Sequence, residues 1–143
     1  KLVKFRKKCK LKTLKFYIAN NPRLAKNCKA DGVYLSSYNK LIYPKYGLSL
    51  IGSAHNFKEI YEKIKQGCDT IILSRLFKTS YINKKSHLGV IKFNLIMKNY
   101  RINLIPLGGI NSLNLLKLNI VNSNGLALLS EIKKKPVISH RLF

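Results

Sequence analysis

Acidic side chains are the scarcest feature of this 143-residue chain. Five Asp and Glu stand against 28 Lys and Arg, a net charge of +23. Such a field attracts polyanions, nucleic acid above all. The lysines are scattered, however, with short clusters only at Arg6-Lys7-Lys8, Lys84-Lys85 and Lys133-Lys134-Lys135. Neither an aromatic-interleaved RNA-binding signature nor zinc-finger spacing accompanies them. Lys, Asn, Ile and Leu dominate together, which reads as coding bias. Nucleic acid is therefore expected to bind only non-specifically and with a steep dependence on salt, while phosphorylated small molecules are still drawn in. Cysteine is also rare. Cys9, Cys28 and Cys68 are far apart, odd in number and without a C-x-x-C, which excludes a disulfide framework and points to reduced thiols in a cytoplasmic protein. His55, His87 and His140 have no ligand spacing, which excludes a zinc site. No run approaches the roughly 18 apolar residues of a membrane span. The basic stretch Lys1–Lys15 lacks the apolar core and cleavage site of a secretory signal.

What remains is an ordinary apolar fraction, 46%, enough for one core and a single domain, 1–143. Its most informative stretch is Leu104-Ile105-Pro106-Leu107-Gly108-Gly109-Ile110-Asn111. An apolar strand ends in two glycines, and Asn111-Ser112 opens an amphipathic helix, Leu113–Ile120. Two glycines let the backbone turn sharply and approach a ligand, and a helix N-terminus suits a phosphate. A plain strand-to-helix turn uses glycine in the same way.

The rest of the chain alternates. A basic helix ends near Lys10, and a strand, Leu14–Ala19, stops at Asn20-Asn21-Pro22. A helix capped by Asn21 runs to about Lys29, followed by the strand Gly32–Leu35 and a polar loop, Ser36–Asn39. Pro44 argues against a long helix around Leu41–Tyr46. The strand Leu48–Gly52 leads to a helix capped by Asn56, with a stripe of Phe57, Ile60, Tyr61 and Ile64 and an end at Gly67. The strand Thr70–Ser74 opens a long connection, Arg75–Leu88, of the length expected of a lid. A helix, Gly89–Tyr100, places Ile91, Leu95 and Ile96 on one side. After the Gly-Gly unit come a strand, Gly125–Leu129, and a short helix opened by Ser130. Six strand–helix units in alternation predict an α/β fold with parallel pairing and right-handed crossovers. An open doubly wound sheet and a piece of a (β/α)8 barrel both fit. The last two strand ends carry the phosphate-like turns, which favours the barrel.

Four blocks carry a resemblance: Ala30-Asp31-Gly32-Val33-Tyr34-Leu35, Ile51-Gly52-Ser53-Ala54-His55-Asn56, Leu107-Gly108-Gly109-Ile110-Asn111 and Gly125-Leu126-Ala127-Leu128-Leu129-Ser130-Glu131-Ile132. In order and spacing the chain resembles the thiamine-phosphate synthase/TenI family, whose members carry similar ADGVHLGQ, IGxSxH, IGGI and ADGVAVxSxI blocks. Phe77-Lys78-Thr79 echoes that family's GPxFxTxTK segment. The resemblance implies a (β/α)8 TIM barrel of which roughly strands three to eight are present, so the chain is expected to be a fragment of a longer one.

It further implies a synthase that couples hydroxymethylpyrimidine diphosphate with thiazole phosphate and releases pyrophosphate, assisted by Mg²⁺. On that likeness Gly108, Gly109 and the backbone at Leu129-Ser130 would hold the thiazole phosphate. Ser53 would meet the leaving pyrophosphate, and Lys84 or Lys85 would act as the loop lysine. The family's acidic metal ligands become Ala19-Asn20 and Tyr38-Asn39, so Asn20 and Asn39 are the weak replacements available to a metal. His55 and His87 are lesser candidates. A Gly109→Asp change is expected to abolish phosphate binding. The alternatives are a thiazole tautomerase-like or non-catalytic phosphate-ligand binder on the same barrel, and, more distantly, a basic RNA-binding protein. A homo-oligomer is also open.

Overall fold

A computed structural model of the chain describes residues 1–44, 46–79 and 86–129. The chain divides into two compact units, Lys1–Ile71 and Ile72–Phe143. The first holds α1 (Leu2–Leu11), β1 (Tyr17–Ala19), α2 (Pro22–Asn27), β2 (Gly32–Leu35), β3 (Ser49–Ala54) and α3 (Phe57–Lys65). The boundary falls inside β4 (Thr70–Ser74). The second unit continues with α4 (Gly89–Asn99), β5 (Asn103–Leu107) and a 3-10 helix, Ser112–Ile120. Sheet order follows the sequence, β1-β2-β3-β4-β5. The pairing of β1 with β2 and of β2 with β3 is parallel, with Tyr17 opposite Gly32 and Gly32 opposite Ser49.

In the first unit, β2 is the most deeply covered strand, with Val33 and Leu35 fully buried, and α3 lays Ile60 against β3. Pro22 opens α2, where its missing N–H costs nothing, and the Asn21 side chain accepts from Leu24 N at 2.9 Å. Asn56 caps α3 in the same manner, accepting from Glu59 N at 2.9 Å. The connection between β2 and β3, which carries Pro44, holds no helix.

The few acids act as clasps. Asp31 accepts from Phe16 N (2.7 Å) and from Arg6 Nη2 (2.8 Å). Asp69 accepts from Leu50 N at 2.8 Å. Glu59 accepts from His55 N at 2.8 Å and from the Asn56 side chain, and Glu62 pairs with Lys40. That pairing holds the Glu62 carboxyl below its ordinary range, the Lys40 hydrogen bond being the largest cause.

Several sequence expectations shift. β1 begins at Tyr17 rather than Leu14, and β3 extends to Ala54. Of the expected α3 stripe only Ile60 is buried. Phe57, Tyr61 and Ile64 are exposed, and Lys63 takes the second core position. On α4 the buried residues are Phe93 and Ile96, while Ile91 and Leu95 face outward. The expected helix after the Gly-Gly turn is a 3-10 helix with no buried residue. Asn114 and Asn119 are weak helix formers, and an apolar stripe left unburied among the described residues gives the α-form little support. The expected strand Gly125–Leu129 is reduced to one parallel bridge, Leu107 with Ala127. There Ser123 hydrogen-bonds both the Leu104 and Gly125 carbonyls at 2.8 Å, turning the chain tightly. The helix expected from Ser130 lies outside the described residues. Among the described residues, no helix is long and apolar enough to cross a membrane. Cys9, Cys28 and Cys68 are buried free thiols.

Candidate functional site

In a parallel sheet fed by crossover helices, the carboxyl ends of the strands are where ligands meet the chain. At the end of β1, Asn20 sits in the left-handed region (φ 53°), which asparagine tolerates better than most residues. Its backbone N–H donates to Tyr34 O at 2.8 Å. Its side-chain oxygen accepts from Ser36 N (3.0 Å), Ser36 Oγ (3.1 Å) and Asn39 Nδ2 (3.1 Å). Its Nδ2 donates to the Tyr38 hydroxyl at 3.4 Å, and the Tyr43 hydroxyl donates to its carbonyl at 3.4 Å. Asn39, buried, has its own amide oxygen engaged by Leu41 N at 2.9 Å.

Beneath this cluster lies a fully buried lysine. Lys63 Nζ donates to the Asn39 carbonyl at 2.7 Å and to Gln66 Oε1 at 2.8 Å. Gln66 Nε2 donates to the same Asn39 carbonyl (3.0 Å) and to Leu41 O (2.7 Å). The lysine stem fits because residue 52 is glycine. A Cβ there would lie 2.8 Å from Lys63 Cγ and 3.0 Å from Cys68 Sγ. Burial holds the Lys63 ammonium below the ordinary lysine range, an effect that the neighbouring Cys68 opposes. Burial also pushes the Cys68 thiol up to about 11, so it stays a neutral thiol.

A magnesium ion does not fit Asn20 and Asn39 as they stand. An amide oxygen has two lone pairs, and three N–H and O–H donors already surround that of Asn20. Their hydrogens present positive charge to whatever approaches, whereas Mg²⁺ demands hard, preferably anionic oxygen ligands. Among the described residues no group of three or more His, Cys, Asp or Glu is placed to hold a metal ion.

Ser53 lies in the first unit too, next to last in β3 and nearly buried. His55 beyond it is exposed.

In the second unit, Leu76 N donates to Leu107 O at 2.9 Å and Phe77 N to Gly108 O at 3.0 Å, so the chain after β4 runs against the Gly-Gly turn. Both glycines have positive φ, 102° and 71°. A Cβ on Gly109 would meet the backbone oxygens of Lys78 and Phe77, the latter at 2.5 Å, and one on Gly108 would come within 3.0 Å of Arg75 Cγ. The glycines therefore admit neighbouring backbone at this turn, and Gly109→Asp breaks the turn before it tests a phosphate. The donors of the following helix are also used. Asn111 Oδ1 accepts from Leu113 N (2.9 Å), Asn114 Oδ1 accepts from Asn111 N (3.0 Å), and Asn114 Nδ2 donates to Gly109 O (2.7 Å). This capping box fills donors that a phosphate at the helix start would need.

Leu129 is described and exposed, as is His87. Lys84, Lys85 and Ser130 lie outside the described residues. The sequence reading missed Lys63 and Gln66, because lysine on a helix ordinarily faces solvent. The available signal was spacing: Lys63 stands three residues after Ile60 and Gly67 seven, on one helical face.

Residues 1–132 match the family described as thiamine monophosphate synthase. The chain is 32% identical over 133 residues to a thiamine-phosphate synthase of Prochlorococcus marinus subsp. pastoris, covering 90% of this chain and 38% of that protein. It is 25% identical over 134 residues to a thiamine-phosphate synthase of Chlorobium phaeobacteroides, covering 88% and 64%. The chain thus spans less than two thirds of the length of these relatives. A thiamine phosphate pyrophosphorylase structure from Pyrococcus furiosus aligns with a TM-score of 0.71 at 19% identity, covering 93% of this chain and 69% of that one. That likeness carries the fold, the expected α/β class of (β/α)8-barrel type, to which the described residues contribute five consecutive strands.

Proposed function

The chain belongs to the thiamine monophosphate synthase family, and from that premise we propose that it serves thiamine biosynthesis as part of a synthase of this kind. The reaction joins hydroxymethylpyrimidine diphosphate to thiazole phosphate. The bond between the pyrimidine methylene carbon and the diphosphate oxygen breaks first, pyrophosphate leaves with the electron pair, and the thiazole nitrogen then bonds to the resulting carbocation. The observation that carries the reading is the family match over residues 1–132. On this reading the Ser53 hydroxyl donates to the leaving diphosphate, and lysines of the 75–88 connection, Lys84 and Lys85 among them, balance its charge. Backbone N–H groups near Leu129 and Ser130 hold the thiazole phosphate, while the Gly108-Gly109 turn packs against the chain that follows β4. The excess of 28 Lys and Arg over five acids favours accumulation of both anionic substrates. A cytoplasmic setting, homo-oligomerisation and only non-specific contact with nucleic acid belong to the same reading.

A second reading is favoured by one observation: the donor-filled oxygen of Asn20 where the family resemblance implies a metal carboxylate. It is a phosphate-ligand binder or tautomerase-like homologue without synthase turnover. Pyrophosphate release from the two substrates, with and without Mg²⁺, together with calorimetric binding of thiazole phosphate, separates the two. Turnover supports the synthase. Binding without turnover supports the second reading, and neither activity nor binding rejects both.

A further inference from the structure

We propose that Lys63 is a positioning residue that does, from inside the protein, what a bound cation would otherwise do at this strand end: it gathers the loop after β2 and fixes the Asn20 cluster without a metal. The inference stands on geometry and does not depend on the reaction assigned above.

Lys63 is fully buried, yet among the described residues its nitrogen forms no ion pair with a carboxylate. Among its hydrogen bonds, one acceptor is a main-chain carbonyl, that of Asn39 at 2.7 Å, and the other is the Gln66 amide oxygen at 2.8 Å. Gln66 then reaches back to the carbonyls of Asn39 and Leu41. Two side chains of the α3 region therefore hold two carbonyls of one loop. That loop in turn delivers Asn39 Nδ2 and the Ser36 N–H and hydroxyl to the single oxygen of Asn20. Within the loop, Asn39 N donates to Ser36 O at 3.0 Å and Leu41 N to Asn39 Oδ1 at 2.9 Å. Burying a lysine is costly unless its donors are used. Here the sequence supplies the room through Gly52 and the acceptors through Gln66 and Asn39. The nearby acids on the same helix are engaged elsewhere, Glu62 with Lys40 and Glu59 with His55 N and Asn56, so no anion remains among them to recruit a divalent ion to this place. A lysine and three amides hold the shape instead.

The test is amide hydrogen exchange on the whole chain, read at Ser36, Asn39 and Leu41, with and without millimolar MgCl2. The variants are Lys63→Met, which keeps the apolar stem and removes the donors, and Gln66→Leu, which removes the second pair of contacts if the first variant folds poorly. The proposal expects wild-type protection at these amides to be indifferent to Mg²⁺. It expects exchange in either variant to rise by roughly tenfold or more, as loss of a hydrogen bond from a charged or buried donor implies, with amides of β3 unchanged. Unaltered protection in folded Lys63→Met would mean that the lysine merely fills space, which overturns the proposal. So would Mg²⁺-induced protection of the wild type, or selective Mn²⁺ broadening of the Asn20, Ser36 and Asn39 amides.

Discussion

Replacing Gly109 by alanine should be among the most damaging single-methyl additions in this chain, and its neighbours provide the scale. At Gly125 a Cβ meets nothing within 4 Å and φ is ordinary, so Gly125→Ala should be neutral or stabilise by about 0.4–1 kcal/mol through the unfolded chain. At Gly89 the space is also open but φ is 72°, so alanine there should cost about 1–2 kcal/mol for the left-handed backbone. At Gly108 the conformational cost is joined by the base of the Arg75 side chain, whose Cγ lies 3.0 Å away, a milder approach than the one at Gly109. At Gly109 the same conformational cost is joined by contact with main-chain atoms, Phe77 O at 2.5 Å and Phe77 C at 2.6 Å, which yield only if the 75–79 segment shifts. Overpacking of that kind adds about 1–3 kcal/mol, giving roughly 2–5 kcal/mol in total. At about 3–4 °C per kcal/mol for a domain of this size, that is a fall in Tm of about 6–20 °C. Urea and thermal unfolding of the four alanine variants, followed by circular dichroism, should return the order Gly125, Gly89, Gly108, Gly109 from least to most destabilised. If Gly109→Ala matched Gly89→Ala, the 75–79 backbone would not be packed against the turn, and the glycine would be free for a ligand after all.

Gly52→Ala should displace the Lys63 stem and cost about 1–3 kcal/mol; a Lys63→Met background should recover little of it, since the Met side chain fills the same space, and full recovery would place the clash elsewhere. Asn20→Ala should leave the Ser36 N–H and hydroxyl without their acceptor and cost about 1–3 kcal/mol in urea unfolding, and a change within error would mean that water replaces the amide at no cost. The Cys68 thiol is held to about 11 in the folded state against an ordinary 9.0, so between those pH values the unfolded chain releases the proton first and the folded state loses stability as pH rises. At about 1.4 kcal/mol per unit this amounts to roughly 2–3 kcal/mol. Lys63 acts in the opposite sense as pH rises towards its unfolded value, so the comparison that isolates the thiol is the alkaline slope of wild type against Cys68→Ala, and equal slopes would refute it.

Much of the fold was legible because local chemistry and tertiary structure agree. Asn21-Pro22, Asn56 and Asn111 each cap the helix that the sequence assigned to them, and the apolar runs at Gly32–Leu35 and Thr70–Ser74 are strands. Legibility failed where burial overrides type. Lys63 is inside and Phe57, Tyr61 and Ile64 are outside, because the pocket behind Gly52 accepts a long unbranched stem whose end finds two carbonyl-type acceptors. The segment Leu113–Ile120 read as an amphipathic helix, yet its Leu113 and Leu116 are 94% and 84% exposed on a 3-10 segment whose start is fixed by asparagine caps. At the site, strand ends and glycines were readable, but their uses were not. Periodicity shows where a turn lies, whereas whether its missing Cβ makes room for an anion or for a neighbouring main chain depends on residues some thirty positions away, Phe77 and Lys78.

The shortage of acids and the neutrality of the β1 end have a common consequence. Four of the five Asp and Glu are described, and each is engaged with a backbone N–H, a cap or a lysine within its own unit. A site that gathers phosphates through a bridging metal carries its counter-charge with it, fixed by carboxylates. A site built from amides, hydroxyls and one enclosed lysine does not, so the charge that meets an anionic ligand must come from the lysines of the surrounding surface. Exposed charges act through solvent and are screened within about 10 Å at ordinary salt. Affinity for a phosphorylated ligand in this chain should therefore fall with ionic strength and be nearly indifferent to Mg²⁺, whereas a metal-bridged site would show the reverse.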